Sequence, residues 1–294
     1  MKYNKILVTG SSGFIGSHMA DTLEENGYQV ILFDVVPSNY KTKTQEEFIG
    51  DILNPDDITT AIKGCDAVYH FAALADLDEA LDNPAQTVEV NLLGTINILE
   101  ACRKNNVERF IYASTVYVHS REGGFYRCSK VAAEQYIQEY HNRYGINYCI
   151  LRYGSLYGPR SGEDNGLWQI INNAIITGEL QYMGNPESLR EYIHVDDAAK
   201  SSLMALNNDF KNQRIILSGQ EPMRVFDLLK MIGEILDIKK DIIFQDNTYT
   251  GHYIRTPYSY NEKIGKKYIP SMHVDMGQGL IQLINEIKNS KSNS

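Results

Sequence analysis

The chain has 294 residues, a formal net charge of −9 at neutral pH and a pI near 5.3, with its lysines and arginines scattered rather than clustered. That balance argues against nucleic acid or an anionic membrane as a partner, and the length gives ample core for one compact unit with a nucleotide half and a substrate half. Cys65, Cys102, Cys128 and Cys149 stand singly, without metal-type spacing, so reduced thiols in a cytoplasmic protein are expected and a metal site is not.

Lys5–Thr9 is a short apolar β run. It enters its strand too early to leave room for a signal peptide, and no apolar run approaches the roughly 18 residues needed to span a bilayer. The run leads into Gly10-Ser-Ser12-Gly13-Phe14-Ile15-Gly16, then an amphipathic segment over 17–26 stopped by Gly27. Strand, glycine turn and helix come in the order a phosphate cradle needs, with glycines admitting the pyrophosphate and the helix N-terminus supplying N–H groups. A second strand over 29–33 ends in Asp34, eighteen residues past Gly16 (34 − 16). A carboxylate there accepts from a ribose 2′-hydroxyl and repels a 2′-phosphate, which predicts NAD over NADP.

Strand and helix signals then alternate. Strands are predicted over 48–51, 67–73, 108–114 and 147–152, with helices opening at Asn54-Pro55-Asp56-Asp57, over 88–105, and from Tyr126 to a stop at Gly145. Alternation of this kind means a parallel, doubly wound sheet with its ligand crevice at the strands' carboxyl ends, where Ser114 and Thr115 fall. Tyr126 and Lys130 lie four residues apart, one helical turn, so an ammonium sits beside a phenol and favours the phenolate. Beyond Tyr153 the rhythm loosens. The expected fold is α/β, a Rossmann-type doubly wound sheet over 1–155 with a smaller C-terminal α/β substrate domain over 156–294, some of whose elements can return to the first.

Several motifs in register resemble the extended short-chain dehydrogenase/reductase family, specifically its nucleotide-sugar epimerases and dehydratases. They are the glycine turn, Gly50-Asp51-Ile52, His70-Phe71-Ala72-Ala73, Asn91-Leu-Leu-Gly-Thr95, Tyr126-x-x-x-Lys130, Leu156-Tyr-Gly-Pro159 and Arg190-Glu-Tyr-Ile-His194-Val-Asp-Asp197. The resemblance implies NAD as cofactor. Asp51 and Ile52 would meet its adenine, Phe71, Ala72 and Ala73 would lie along its pyrophosphate and ribose, and Asn91 and Tyr153 would complete the pocket. Lys130 would bind the nicotinamide ribose and lower the Tyr126 pKa; Tyr126 would take the sugar hydroxyl's proton, with Thr115, or Ser114 in its stead, orienting the oxygen. Ser155 and Arg190 would face the substrate, with Arg255 as a second phosphate-binding arginine. His194 is expected to be structural, and Asp196 or Asp197 to cap the next helix.

Two departures from the family shape the functional reading. The stretch from Ser114 to Tyr126 is shorter than usual, so the sugar pocket is expected to be either more open or closed by another segment, the residues between Tyr157 and Leu167, and His119 and Arg121 become candidates for sugar contact. Thr115 is followed by Val116-Tyr117, where dehydratases of the family carry Asp-Glu and decarboxylases a glutamate. Elimination thus lacks its catalysts, and the expected activity is an NAD-dependent nucleotide-sugar 4-epimerase. The alternatives are a decarboxylase, dehydratase or 4-reductase on a similar substrate and, in another class, a non-catalytic NAD sensor or scaffold. A homodimer through the 88–105 and 126–144 helices is expected, with Ile96, Leu99, Val131 and Ile137 at helix-face spacing.

Overall fold

A computed structural model describes residues 3–245, 266–268 and 273–292. β1 (Lys5–Thr9) buries Ile6, Leu7 and Val8 completely, as a parallel strand covered on both faces must. It is followed by α1 (Phe14–Glu25), β2 (Gln29–Asp34), β3 (Glu46–Ile49) and α2 (Pro55–Ala61), the last capped by the Asn54 side chain on Asp56 N. Next come β4 (Ala67–His70), α3 (Leu77–Asp82), α4 (Pro84–Val88), a π turn over Glu89–Leu93 and α5 (Gly94–Lys104). β5 (Arg109–Thr115), a 3₁₀ turn (Val116–His119), α6 (Gly124–Tyr144) and β6 (Asn147–Tyr153) complete the first half. The helix expected over 88–105 is thus one long helix that starts earlier and contains a π turn, and the fourth strand stops at His70 rather than Ala73.

The second half contains β7 (Ser155–Tyr157), α7 (Gly166–Thr177), β8 (Gln181–Met183), β9 (Leu189–Arg190), β10 (Tyr192–His194) and α8 (Val195–Leu203). After these come β11 (Gln213–Leu217), β12 (Met223–Arg224), α9 (Val225–Leu236), β13 (Ile243–Gln245), β14 (Lys266–Lys267) and α10 (Met276–Ser292). The main sheet is parallel, in the order β14-β11-β6-β5-β4-β1-β2-β3. Its order reverses on either side of β1, so the crevice opens at the carboxyl ends of β1 and β4. This is the doubly wound α/β fold the alternation predicts. β11 and β14 come from the second half and extend the main sheet beyond β6. The rest of that half packs α7, α9 and α10 around Leu167, Ile171, Leu228, Leu229, Ile232, Leu280 and Leu283. Among the described residues, no helix is long and apolar enough to cross a membrane.

Candidate active site

The turn after β1 has no room for side chains. A Cβ on Gly10, at φ +69°, would stand 2.6 Å from Ala72 N, and one on Gly16 would stand 2.0 Å from Gly10 O. Glycine is therefore demanded by strand–turn–helix packing itself. What the turn leaves unfilled fits a dinucleotide. α1 begins at Gly13 with no side-chain cap and no acid in its first turn, and Ser11 Oγ is buried without a partner. Such an end favours an anion. Asp34, at the tip of β2, accepts from Ser12 N at 2.9 Å, and its other oxygen faces Val36 N at 3.4 Å. Phe14, Ile15, Ala72 and Ala73 are half-buried around this opening, and Phe71 stacks on Tyr69. Asp51 is exposed at the far end, while the Ile52 side chain is buried against Gly94. These residues fit NAD.

Behind the turn runs a buried chain of hydrogen bonds that the sequence analysis missed. Thr9 Oγ1 and His70 Nδ1 are 2.7 Å apart, His70 Nε2 and Thr95 Oγ1 3.0 Å, and Thr95 donates to Asn91 O at 2.7 Å. Because the Thr95 hydroxyl proton is already given to Asn91, His70 must donate from Nε2 and accept from Thr9 at Nδ1. Burial and the nearby Lys130 charge push the imidazole down to about 3, so it stays neutral. The Asn91 side chain accepts from Leu74 N at 2.8 Å and donates to Leu74 O at 2.9 Å and Ser129 Oγ at 3.0 Å; Ser129 in turn donates to Tyr126 O at 2.8 Å. Both amide protons of Asn91 are therefore spent on the protein's own chain, and this residue braces the site from behind. The π turn around Asn91 is the visible signature of that bracing.

Tyr126 and Lys130 lie on the first two turns of α6, and Thr115 ends β5 beside them. Thr115 stands close enough to the Tyr126 phenol to oppose the rise of its pKa, and its hydroxyl accepts from Tyr117 N at 3.2 Å, capping the 3₁₀ turn. Lys130 Nζ donates to Ala113 O at 2.9 Å and lies 4.8 Å from the Tyr112 ring centroid and 5.7 Å from that of Tyr126. The expected tuning is reversed here. Burial raises Tyr126 to about 12, with Thr115 pulling the other way, and burial lowers Lys130 to about 7. The helix spacing brings the two residues together, but it aims the ammonium at a carbonyl and the ring faces rather than at the phenol oxygen. Desolvation then outweighs the attraction. Ser114 does not stand in for Thr115: its hydroxyl donates to buried Glu134 at 2.6 Å.

Of the residues expected to face the substrate, Ser155 opens β7 and Arg190 ends β9, largely buried. The Tyr153 ring turns into the core, where its hydroxyl meets Ser202 Oγ at 2.6 Å. His119 faces Arg152 at 2.8 Å, an unexpected buried neighbour. His194 is structural as expected, but it is itself the cap of α8, accepting from Asp196 N at 3.3 Å. Asp196 instead pairs with His18 at 2.8 Å, and Asp197 accepts from Val274 N at 2.6 Å. Arg255 lies outside the described residues. Glu134 and Arg152 had a readable signal: an arginine inside a strand destined for burial implies a carboxylate partner, and Glu134 follows Lys130 at helical spacing.

An uncapped helix over a glycine turn, an acid at the end of the second strand and a Tyr–Lys helix beside a strand-end threonine define an enzyme of the NAD-binding Rossmann class. The sequence profile of the NAD dependent epimerase/dehydratase family matches residues 6–218. A Methanocaldococcus jannaschii protein provisionally named a UDP-glucose 4-epimerase is 30% identical, with 97% of this chain and 99% of that protein aligned. The UDP-glucose 4-epimerase of Thermotoga maritima, solved with UDP-glucose, superposes with a TM-score of 0.86 at 26% identity, covering 98% of this chain and 99% of that one. The Thermus thermophilus UDP-glucose 4-epimerase, solved with NAD, gives 0.81 at 26% identity over 97% and 99%. The chain belongs to the NAD dependent epimerase/dehydratase family. It is an enzyme with NAD as its cofactor, which removes the sensor and scaffold reading.

Proposed function

We propose that this enzyme is a nucleotide-sugar 4-epimerase that holds the reacting hydroxyl between Thr115 and Tyr126. The observation that carries the reading is the placement of Thr115 at the end of β5 and Tyr126 on the first turn of α6, where Thr115 opposes the rise of the phenol's pKa, followed by Val116, 1% exposed, and Tyr117. A hydroxyl pair handles one proton. Water loss or decarboxylation would call for carboxylates where Val116 and Tyr117 stand. The family relatives named as UDP-glucose 4-epimerases support the same reading, and make UDP-glucose and UDP-galactose the first substrates to try.

Gly10, Ser12, Gly13 and Gly16 would hold the pyrophosphate, Asp34 the adenine ribose, Asp51 and Ile52 the adenine, and Lys130 the nicotinamide ribose. When bound, NAD supplies a reversible hydride acceptor at the sugar carbon. The chain's own residues move the proton: Tyr126 Oη, as the phenolate, takes it from the substrate hydroxyl while Thr115 keeps that oxygen oriented, and return of the proton as hydride comes back to the other face of the carbon restores the hydroxyl in the opposite configuration. Arg190, with Ser155 beside it, would hold the diphosphate end. Residues 1–155 would bind the cofactor and 156–294 would mainly bind substrate.

We read the protein as a cytoplasmic homodimer. On the pairing helices Leu99 and Ile137 turn out to be core residues, whereas Val88, Leu93, Tyr136 and Tyr144 are exposed. The test of activity is incubation with a panel of nucleotide sugars, read by mass and proton NMR. Conversion between C4 epimers at unchanged mass is expected; loss of ~18 mass units as water or ~44 as carbon dioxide would replace the epimerase with one of its rivals.

A further inference from the structure

One turn beyond Lys130 on α6, Glu134 is 3% exposed. A carboxylate at that depth remains ionised only with paired charge and satisfied hydrogen bonds. Glu134 has both. Ser114 Oγ donates to it at 2.6 Å, Arg152 donates from Nε at 3.0 Å and Nη2 at 2.6 Å, and Arg214 Nε stands at 3.5 Å. The remaining amino group of Arg152 donates to His119 Nε2 at 2.8 Å. Burial and the Arg152 charge push His119 down to about 4, which leaves it neutral and able to accept. One ion pair thus joins α6, β5, β6 and the 3₁₀ turn after Thr115. Ser114 and Arg152 are themselves cross-strand partners in the β5–β6 register.

The position of these bonds matters more than their number. Ser114 immediately precedes Thr115, so tying it to α6 fixes how far Thr115 stands from Tyr126. Lys130 is faced by Tyr126 and Glu134 on its own helix, by Tyr112 on β5 and by His70 on β4. With His70 neutral, the acid whose charge opposes the desolvation of Lys130 is Glu134.

We propose that Glu134 is the positioning residue of this site: clamped by Arg152, it fixes the Thr115 strand end against the Tyr126 helix and supplies the counter-charge for Lys130. The proposal rests on reading Tyr126, Lys130 and Thr115 as the group that handles the proton. A pair that only held the fold could be removed as a pair, since loss of both buried charges is often neutral whereas loss of one strands the other. The full-length enzyme with NAD is therefore compared with the double variant Glu134→Gln/Arg152→Gln and with Ser114→Ala. Three quantities are measured: melting temperature, kcat and KM, and the Lys130 titration followed at its Cε in ¹³C-lysine-labelled protein.

In the folded double variant kcat falls about tenfold to a hundredfold with KM little changed, and the Lys130 midpoint drops by roughly half a pH unit or more. In Ser114→Ala kcat falls while the Lys130 midpoint stays, because Glu134 keeps its charge. A folded double variant with wild-type kcat and an unmoved midpoint overturns the proposal. If the double variant does not fold, an unchanged kcat in Ser114→Ala does so. The titration needs no substrate, so a wrong substrate assignment does not alter what it reads, and an unmoved midpoint leaves the epimerase reading standing.

Discussion

At Lys130 two demands conflict, since the site asks for a cation and the core penalises one. The residue is 3% exposed and burial pulls its ammonium from 10.5 to about 7, while the unfolded chain keeps it protonated to near 10.5. Between those values the unfolded state binds more protons, so this residue's effect on stability becomes more favourable as pH rises through that window and is most costly below it. Wild type should gain unfolding free energy relative to Lys130→Met between pH 6.5 and 9.5; urea denaturation curves that stay parallel across that range would contradict it. Tyr126→Phe keeps the ring beside Lys130 and removes only the hydroxyl, so the fold and NAD binding should survive while kcat falls about 10²-fold or more, measurable in single turnover. Asp34, held by Ser12 N, should give NAD a lower Kd than NADP, and Asp34→Ala should narrow the gap; equal affinities in wild type by calorimetric titration would refute this. That Tyr126 and Lys130 stand one turn apart on a helix was legible from their spacing. The direction of their titration was not, because it comes from burial, and the packing of α6 against Tyr112 and Ala113 of β5 leaves no local mark in the sequence.

The long helix at the centre of the site shows the same limit at the level of an element. Its apolar period marks a helix from Val88 onward, but a π turn changes that period by one residue and leaves no trace in composition. The turn follows from Asn91, whose amide must meet both backbone groups of Leu74 and the Ser129 hydroxyl. Asn91→Leu would leave the Leu74 N–H and C=O buried and unpaired, a cost of about 1–3 kcal/mol for each group. Thermal unfolding should show a clear fall in Tm, and NAD affinity should weaken because Leu74 follows Ala72 and Ala73 at the crevice. A variant with unchanged Tm would mean that the helix closes over the loss. The glycine turn was fully readable, by contrast, because its glycines, its strand and its helix are contiguous in sequence.

For the molecule as a whole, alternation of strands and helices was enough to give a parallel doubly wound sheet, since few other arrangements cover both faces of such strands. The loosened rhythm after Tyr153 hid what the second half contributes: β11 is separated from its neighbour β6 by some sixty residues, with Gln213 opposite Cys149, and pairings that distant leave no local pattern. The exposed Val88, Leu93, Tyr136 and Tyr144 make self-association the expected state. Light scattering at micromolar concentration should return twice the 33.3 kDa chain mass; a monomer throughout would overturn the dimer.

The return of β11 to the main sheet also constrains how such an enzyme can be recombined. A fragment ending near Tyr153 would leave β6 as a raw edge, with the backbone groups that Gln213–Leu217 had satisfied open to any strand that meets them. Exchange of everything after β6 at a single crossover would instead set a relative's β11 against this chain's β6. A graft that keeps the native pairing needs two junctions, one after β6 and one before β11, so that the exchanged segment enters the main-sheet half as an excursion of the chain.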